Sequence, residues 1–152
     1  MPNLVKNCTK NIKPFRVLLV EDDTVDQMTI ERVFEKTNIA NEVVKAKNGL
    51  EALDHMLGLN GKERLEWPYI ILLDLNMPKM NGHEFLDEIR KYDTFSKIPV
   101  IVLTSSAREE DICASYGKYI AGYITKPVKI ESFIEKMVAF GAYWAICELC
   151  DA

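Results

Sequence analysis

Short unbroken apolar runs alternate along this chain with longer segments in which apolar residues recur every third or fourth position. Arg16 to Val20, Tyr69 to Leu73 and Val100 to Leu103 are runs of strand length, the kind that fits a strand covered on both faces. Glu42 to Lys47, with Val43 and Val44 at its centre, and the short Gly122 to Thr125 read as two further strands. Between them lie helical patterns. Asp23 or Thr24 can cap a helix with Ile30, Val33 and Phe34 on one stripe, and Asn48-Gly49 leads into one carrying Leu50, Leu53 and Leu57. Phe85, Leu86 and Ile89 mark a third helix, and Ala107 to Tyr116 a weaker fourth with Ile112 as its clearest core residue. From Ile130 a long helix carries Ile130, Phe133, Ile134, Met137 and Val138. Residues 1–14 read as a loosely ordered tail, and Gly58 to Trp67 as a long polar connection.

Strands alternating with helices at this spacing imply right-handed crossovers and a parallel sheet wound on both faces. The carboxyl ends of all strands then share one edge, where open α/β sheets bind their ligands. Reading those ends off the chain gives Glu21 and Asp22, then Asp74, Thr104 and Lys126. Asp74 closes the longest apolar strand abruptly and faces a loop marked by Pro78, Asn81 and Gly82, residues that suit a turn because Pro fixes φ and Gly and Asn tolerate the left-handed region. By itself Asp74 reads equally as a loop cap. Three carboxylates, a hydroxyl and an ammonium converging on one rim are harder to assign to loop chemistry.

Composition narrows the class. At 152 residues, 48% apolar and 28% charged, the chain fits one globular domain. A net charge of -4 argues against nucleic acid as a direct partner, and no window approaches a membrane span. Residues 1–13 lack the apolar core of a signal peptide, and four cysteines are too few for a disulfide scaffold, so a cytoplasmic protein is expected.

The blocks Leu18-Leu19-Val20-Glu21-Asp22-Asp23, Leu73-Asp74-Leu75-Asn76-Met77-Pro78 with Asn81-Gly82, Leu103-Thr104-Ser105 and Gly122-Tyr123-Ile124-Thr125-Lys126-Pro127 resemble the signatures of receiver domains, the phospho-accepting halves of two-component response regulators. The resemblance runs from about Arg16 to about Val138. It implies a flavodoxin-like (βα)5 fold, a parallel five-stranded sheet in the order 2-1-3-4-5 that the family shares. The expected division is a tail at 1–14, the receiver domain at 15–140 and an extension at 141–152. No output domain follows in this reading, so the chain resembles single-domain regulators such as the chemotaxis regulator. Ala142-Tyr143-Trp144 after the last block resembles, more narrowly, regulators paired with phytochrome-type sensor kinases.

The resemblance also implies roles. Asp74 accepts a phosphoryl group from a kinase phosphohistidine, and Mg²⁺ is held by Glu21, Asp22, Asp74 and the carbonyl of Asn76. An all-oxygen site with few protein ligands suits that ion. Lys126 and Thr104 stabilise the phosphoryl oxygens, and Tyr123 turns in response to Thr104. Asn76 and Ser106 line the approach of the hydrolysing water, and the Lys126-Pro127 bond is cis. Beyond its own phosphorylation and dephosphorylation, no enzyme activity is expected.

Other readings have less behind them. A phosphatase with an aspartyl nucleophile would place a second Asp two residues on, where this chain has Asn76. An adaptor that never takes phosphate would not need the complete acidic set. His55 and His83 read as surface residues, and Cys147 and Cys150 as packing residues despite their spacing. Beyond the stripe of the last helix, which continues to Gly141 and Trp144, fall Phe140, Tyr143, Ile146, Cys147 and Leu149. Their apolar surface, with Trp144 beside it, implies a homodimer through Phe140, Tyr143, Trp144, Ile146 and Cys147.

Overall fold

The computed structural model describes residues 16–37 and 42–149. Five strands, β1 (Arg16–Val20), β2 (Glu42–Ala46), β3 (Tyr69–Leu73), β4 (Val100–Thr104) and β5 (Gly122–Thr125), form one parallel sheet in the order β2-β1-β3-β4-β5. The helices α1 (Thr24–Thr37), α2 (Gly49–Leu57), α3 (Gly82–Ile89), α4 (Glu109–Tyr116) and α5 (Ile130–Ile146) connect and follow them. The expected flavodoxin-like order is therefore the observed one. Every residue of β3 and β4 is buried, which is why those runs are apolar throughout.

Alternate residues of each strand serve different cores. Leu18, Val20, Ile71, Leu73, Val100 and Val102 face α2 and α3, where Ala52, Met56, Phe85, Leu86 and Ile89 meet them. Val17, Leu19, Ile70, Leu72, Ile101 and Leu103 face α1 and α5, packing on Ile30, Phe34, Phe133 and Met137. The tail at 1–14, Cys8 and Cys150 lie outside the described residues.

Three helix faces differ from the expected ones. In α2 the fully buried residues are Ala52 and Met56, whereas Leu50 is exposed and Leu53 and Leu57 pack at the margin. Ala52/Met56 and Leu53/Leu57 are both i, i+4 pairs one position apart, and contact with the sheet selects the first. In α4, Ser115 rather than Ile112 is buried, so this short helix presents little apolar surface to the sheet.

The largest change is in α5. Its buried side runs Phe133, Met137, Phe140 and Gly141, and Phe140 stacks on Phe34 of α1 with ring centroids 6.1 Å apart. Trp144 continues that side, 6.3 Å from Phe140. Phe140 is thus a core residue and not a dimer contact, and Trp144 is half-buried against its own chain. Ile130, Ile134 and Val138 face outward instead. A stripe that starts at Ile130 and one that starts at Phe133 are both helical in period, and contact with α1 selects the second. The helix passes Gly141 without a break and ends at Ile146.

The packing predicts that Phe140→Ala lowers the unfolding free energy by about 3 kcal/mol, as expected for a buried aromatic ring replaced by a void. Ile134→Ala should cost less than about 1 kcal/mol. Urea denaturation of both variants measures the contrast; equal losses would mean that the faces are assigned the wrong way round.

Candidate functional site

Register brings the strand ends to one rim. Val20 lies opposite Leu73, so Glu21 and Asp74 leave neighbouring strands side by side. Each ladder continues one residue beyond its strand: the amides of Glu21, Asp74 and Lys126 donate to the carbonyls of Ala46, Val20 and Thr104 at 2.9, 2.9 and 2.8 Å. The first residue after each of these strands is therefore held by the sheet itself.

The loops are equally constrained. Asp23 Oδ1 accepts from the amides of Val25 and Asp26 at 2.9 and 3.0 Å, which starts α1 immediately after the acidic pair. After Asp74 the left-handed residue is Lys79, with φ of 65°, and not Asn81 or Gly82. Asn81 instead caps α3 in a reciprocal box with Glu84. Gly82 is needed for space, since a Cβ there would lie 2.7 Å from Leu75 Cα. The start of α3 thereby closes directly on the loop that carries Asp74.

Glu21, Asp22 and Asp74 each bring one carboxylate oxygen within 4.8 Å of the others, at an open cleft of about 850 Å³ that Asn76 and Ser105 also line. Glu21 and Asp74 are buried and Asp22 is exposed. Lys126 reaches into the same cleft. Its Nζ donates to Glu21 Oε2, to Asp26 Oδ2 at 2.8 Å and to Asp74 Oδ2 at 3.4 Å. Burial opposes the ammonium, but the hydrogen bonds to Asp26 and Glu21 outweigh it and hold its pKa above the usual lysine value. One ammonium does not balance four carboxylates. Burial first, and then the Asp74 charge, push the Glu21 carboxyl up to about 8 despite Lys126. The donors are hard oxygens clustered with excess negative charge, so they fit a small divalent cation.

Thr104 is fully buried, and its Oγ1 has no hydrogen-bond partner among the described residues. On the next strand Tyr123 packs against the α2/α3 core and its hydroxyl donates to the Ser106 carbonyl at 2.7 Å. Burial raises the Tyr123 pKa, which keeps that hydroxyl a donor.

Two expected features are placed differently. The Lys126-Pro127 bond is trans, and the cis bond among the described residues is Trp67-Pro68. Trans is the lower state for most X-Pro bonds, and the long Lys126 side chain reaches the cleft without the cis turn. Ser106 does not line the cleft; its Oγ donates to Asp111 Oδ2 at 2.6 Å, and Ser105 lines the cleft in its place.

Two contributors were not read from the chain. Asp26 lay inside an expected helix, where acidic residues in a first turn are ordinary; its place four residues after Asp22 was the available signal. His83, read as a surface residue, is half-buried with Nε2 at 3.1 Å from Asp111 Oδ1. Together with Ser106 it holds the Asp111 carboxyl below the usual carboxylate range, the Ser106 hydrogen bond contributing most. No local pattern links α3 to α4, so this contact was invisible in sequence.

Comparison with known proteins agrees with this geometry. The family described as response regulator receiver domain matches residues 17–138. The response regulator Rcp1 of Synechocystis is 34% identical over 131 residues, which span 86% of this chain and 89% of that one. A crystal structure of the Mn²⁺-bound form of Rcp1 superposes with a TM-score of 0.82 at 32% identity, covering 91% of this chain and all of the other. The phosphorylated cyanobacterial phytochrome response regulator RcpA gives 0.84 at 32% identity, covering 91% and 99%. With an acidic cleft at the expected strand ends and coverage of nearly the whole described fold, the chain belongs to the response regulator receiver domain family.

Proposed function

We propose that this protein accepts a phosphoryl group on Asp74 from the phosphohistidine of a sensor histidine kinase, in a Mg²⁺-dependent reaction, and signals through Thr104 and Tyr123. The observation that carries the reading is the Thr104 hydroxyl, buried at the strand end next to Asp74 and without a hydrogen-bond partner among the described residues. A buried hydroxyl without a partner costs roughly 1–3 kcal/mol. A phosphoryl oxygen on the Asp74 side chain is an acceptor that would remove this cost, so phosphorylation and the position of Thr104 are coupled.

In the transfer, an Asp74 carboxylate oxygen forms a bond to phosphorus as the phosphorus–nitrogen bond of the phosphohistidine breaks. The electron pair of that bond stays on the imidazole nitrogen. Lys126 donates to the equatorial oxygens, where positive charge lowers the barrier most. Mg²⁺ held by Glu21, Asp22, Asp74 and the Asn76 carbonyl would add positive charge against the same oxygens. Asp74 presents its carboxylate with one oxygen toward Lys126 and the other accepting from the Asn76 amide at 3.3 Å. Signal loss is attack of water on phosphorus, with phosphate released and the carboxylate restored. Asn76, which lines the cleft, is the tuning position; Ser106 acts at one remove, through Asp111 and the loop it shares with Thr104.

Movement of Thr104 toward the phosphoryl group would shift the β4–α4 loop, and Tyr123 is tied to that loop by its hydrogen bond to Ser106. The phosphoryl group redistributes pre-existing states in proportion to its differential contacts with them. A phytochrome-type kinase is the proposed source of the signal. The description of RcpA as a phytochrome response regulator supports this, as does that of a bacteriophytochrome response regulator at 31% identity and a TM-score of 0.71. Cytoplasmic location follows from that partnership; no helix among the described residues is long and apolar enough to cross a membrane.

A homodimer is also proposed, keeping Tyr143, Ile146 and Cys147 of the expected surface and replacing Phe140 and Trp144 with the outward side of α5. Ile130, Ile134 and Val138 lie at i, i+4 and i+8 on the outward side of α5, with exposed Tyr143 and Ile146 beyond them. With Phe140 and Trp144 committed to the chain's own core, these residues and Cys147 remain for a second copy. Closed two-fold pairing of one helix face is the commonest way to cover such a stripe.

Three outcomes are expected. Acetyl phosphate with Mg²⁺ should label the protein with an acid-stable, base-labile adduct, and Asp74→Asn should remove it; label persisting in that variant would refute the assignment. Thr104→Ala should still take label, yet lose the phosphorylation-dependent change in the Tyr123 ring resonances by NMR. An unaltered change would exclude Thr104 from the switch. In sedimentation velocity at micromolar concentration, the intact chain should run as a dimer and Ile134→Glu as a folded monomer; a monomeric parent chain would end the dimer proposal.

A further inference from the structure

The Lys126 ammonium has three hydrogens, and three carboxylates receive them: Glu21, Asp26 and Asp74. Its donor capacity is therefore full before any phosphoryl group arrives. A phosphoryl oxygen on Asp74 can gain a hydrogen bond from Lys126 only by displacing one of the three. Resting on the proposed phosphorylation of Asp74, we propose that Asp26 is a positioning residue that holds Lys126 and yields it to the phosphoryl group, and so sets how strongly phosphorylation is favoured.

Exposure decides which carboxylate yields. The Glu21 side chain is 1% exposed and that of Asp74 8%, whereas that of Asp26 is 28% exposed. A carboxylate left without its cation must find water, and the two buried ones have little access to it. Asp26 sits in the first turn of α1 with its carboxylate at the cleft, where water can replace the ammonium at low cost. Asp74, moreover, becomes the phosphoryl carrier and remains beside Lys126 throughout.

Asp26 also stands apart from the cation cluster. The oxygens that converge within 4.8 Å belong to Glu21, Asp22 and Asp74. The Asp26 carboxylate is directed to Lys126 at 2.8 Å, closer than the Asp74 carboxylate at 3.4 Å. It competes with the reacting carboxylate for one ammonium. Because Asp26 belongs to α1, the transfer of Lys126 from Asp26 to the phosphoryl group also releases a tie between α1 and the loop after β5. The signal at Asp74 therefore reaches a helix on the opposite side of the cleft from β4 and β5.

The test is binding of beryllofluoride, a phosphoryl mimic, in saturating Mg²⁺, followed by titration of backbone NMR resonances. Asp26→Asn removes the competing charge with little change of shape. Its half-saturating beryllofluoride concentration should fall about threefold, the size expected of a partly exposed ion pair. Asp26→Glu should return to the value of the parent chain. In a Lys126→Met background the Asp26→Asn change should have no effect, because the two substitutions then act on one interaction. Mg²⁺ affinity alone should stay within about twofold in Asp26→Asn, as its carboxylate lies outside the cation cluster. Unchanged or weaker beryllofluoride binding in Asp26→Asn, a full effect persisting without Lys126, or a large loss of Mg²⁺ affinity would each overturn the role. A parent chain that neither binds beryllofluoride nor labels at Asp74 refutes phosphorylation itself, and the role of Asp26 falls with it.

Discussion

Excess negative charge at one buried rim is the constraint around which this molecule is arranged. Glu21, Asp22 and Asp74 converge from two adjacent strands, Asp26 approaches from α1, and Lys126 alone among the described residues donates an ammonium to them. Burial, and then the neighbouring Asp74 charge, make Glu21 hold its proton well above the usual carboxylate range. Groups that would relieve the site are a small divalent cation and a phosphoryl group that draws Lys126 outward. In the proposed function both are supplied, and a cost to the resting state would become a drive toward the loaded one.

The fold keeps that charge from dispersing. Parallel strands in register send their carboxyl ends to one edge, and ladder hydrogen bonds past the strand ends fix Glu21, Asp74 and Lys126 in place. Two cores, one under α2 and α3 and one under α1 and α5, hold the sheet from either face. Close approach at Gly82 and the Asn81 cap bring α3 to the Asp74 loop without a flexible linker. The rim can therefore change its partners while the sheet stays rigid. That combination suits a device whose output is a shift of loops and helices about a fixed frame.

The Thr104 hydroxyl, unpartnered among the described residues, and the fully committed Lys126 ammonium are complementary. One has a donor and no acceptor; the other has more acceptors than a single phosphoryl event leaves it able to keep. In the proposed function both would rearrange toward a phosphorylated Asp74. Tyr123, hydrogen-bonded to the loop after β4, and Asp26, in the first turn of α1, are the places where that rearrangement would leave the cleft in two directions.

Much of this was legible in the chain. Apolar runs of strand length located β1, β3 and β4, because a parallel strand buried on both faces holds few polar residues, whereas the edge strands β2 and β5 are only partly buried and show weaker patterns. The carboxylates, Thr104 and Lys126 were legible as strand-end residues because right-handed crossovers leave a doubly wound sheet only one functional edge. Contacts between elements distant in sequence were not. Period alone allows two stripes on α5, and only the stacking of Phe140 on Phe34 selects the inner one. The pairing of Asp26 with Lys126 joins residues a hundred positions apart, and His83 meets Asp111 across two helices. Local sequence thus determined which strand-end residues reach the rim, since strand ends follow from local patterning and chain topology, but not that Asp26 of α1 joins them or that Ser105 takes the place of Ser106. Which of them touch was decided by tertiary packing, because side-chain partners depend on the relative placement of whole helices and on which polar groups remain unsatisfied when those helices close.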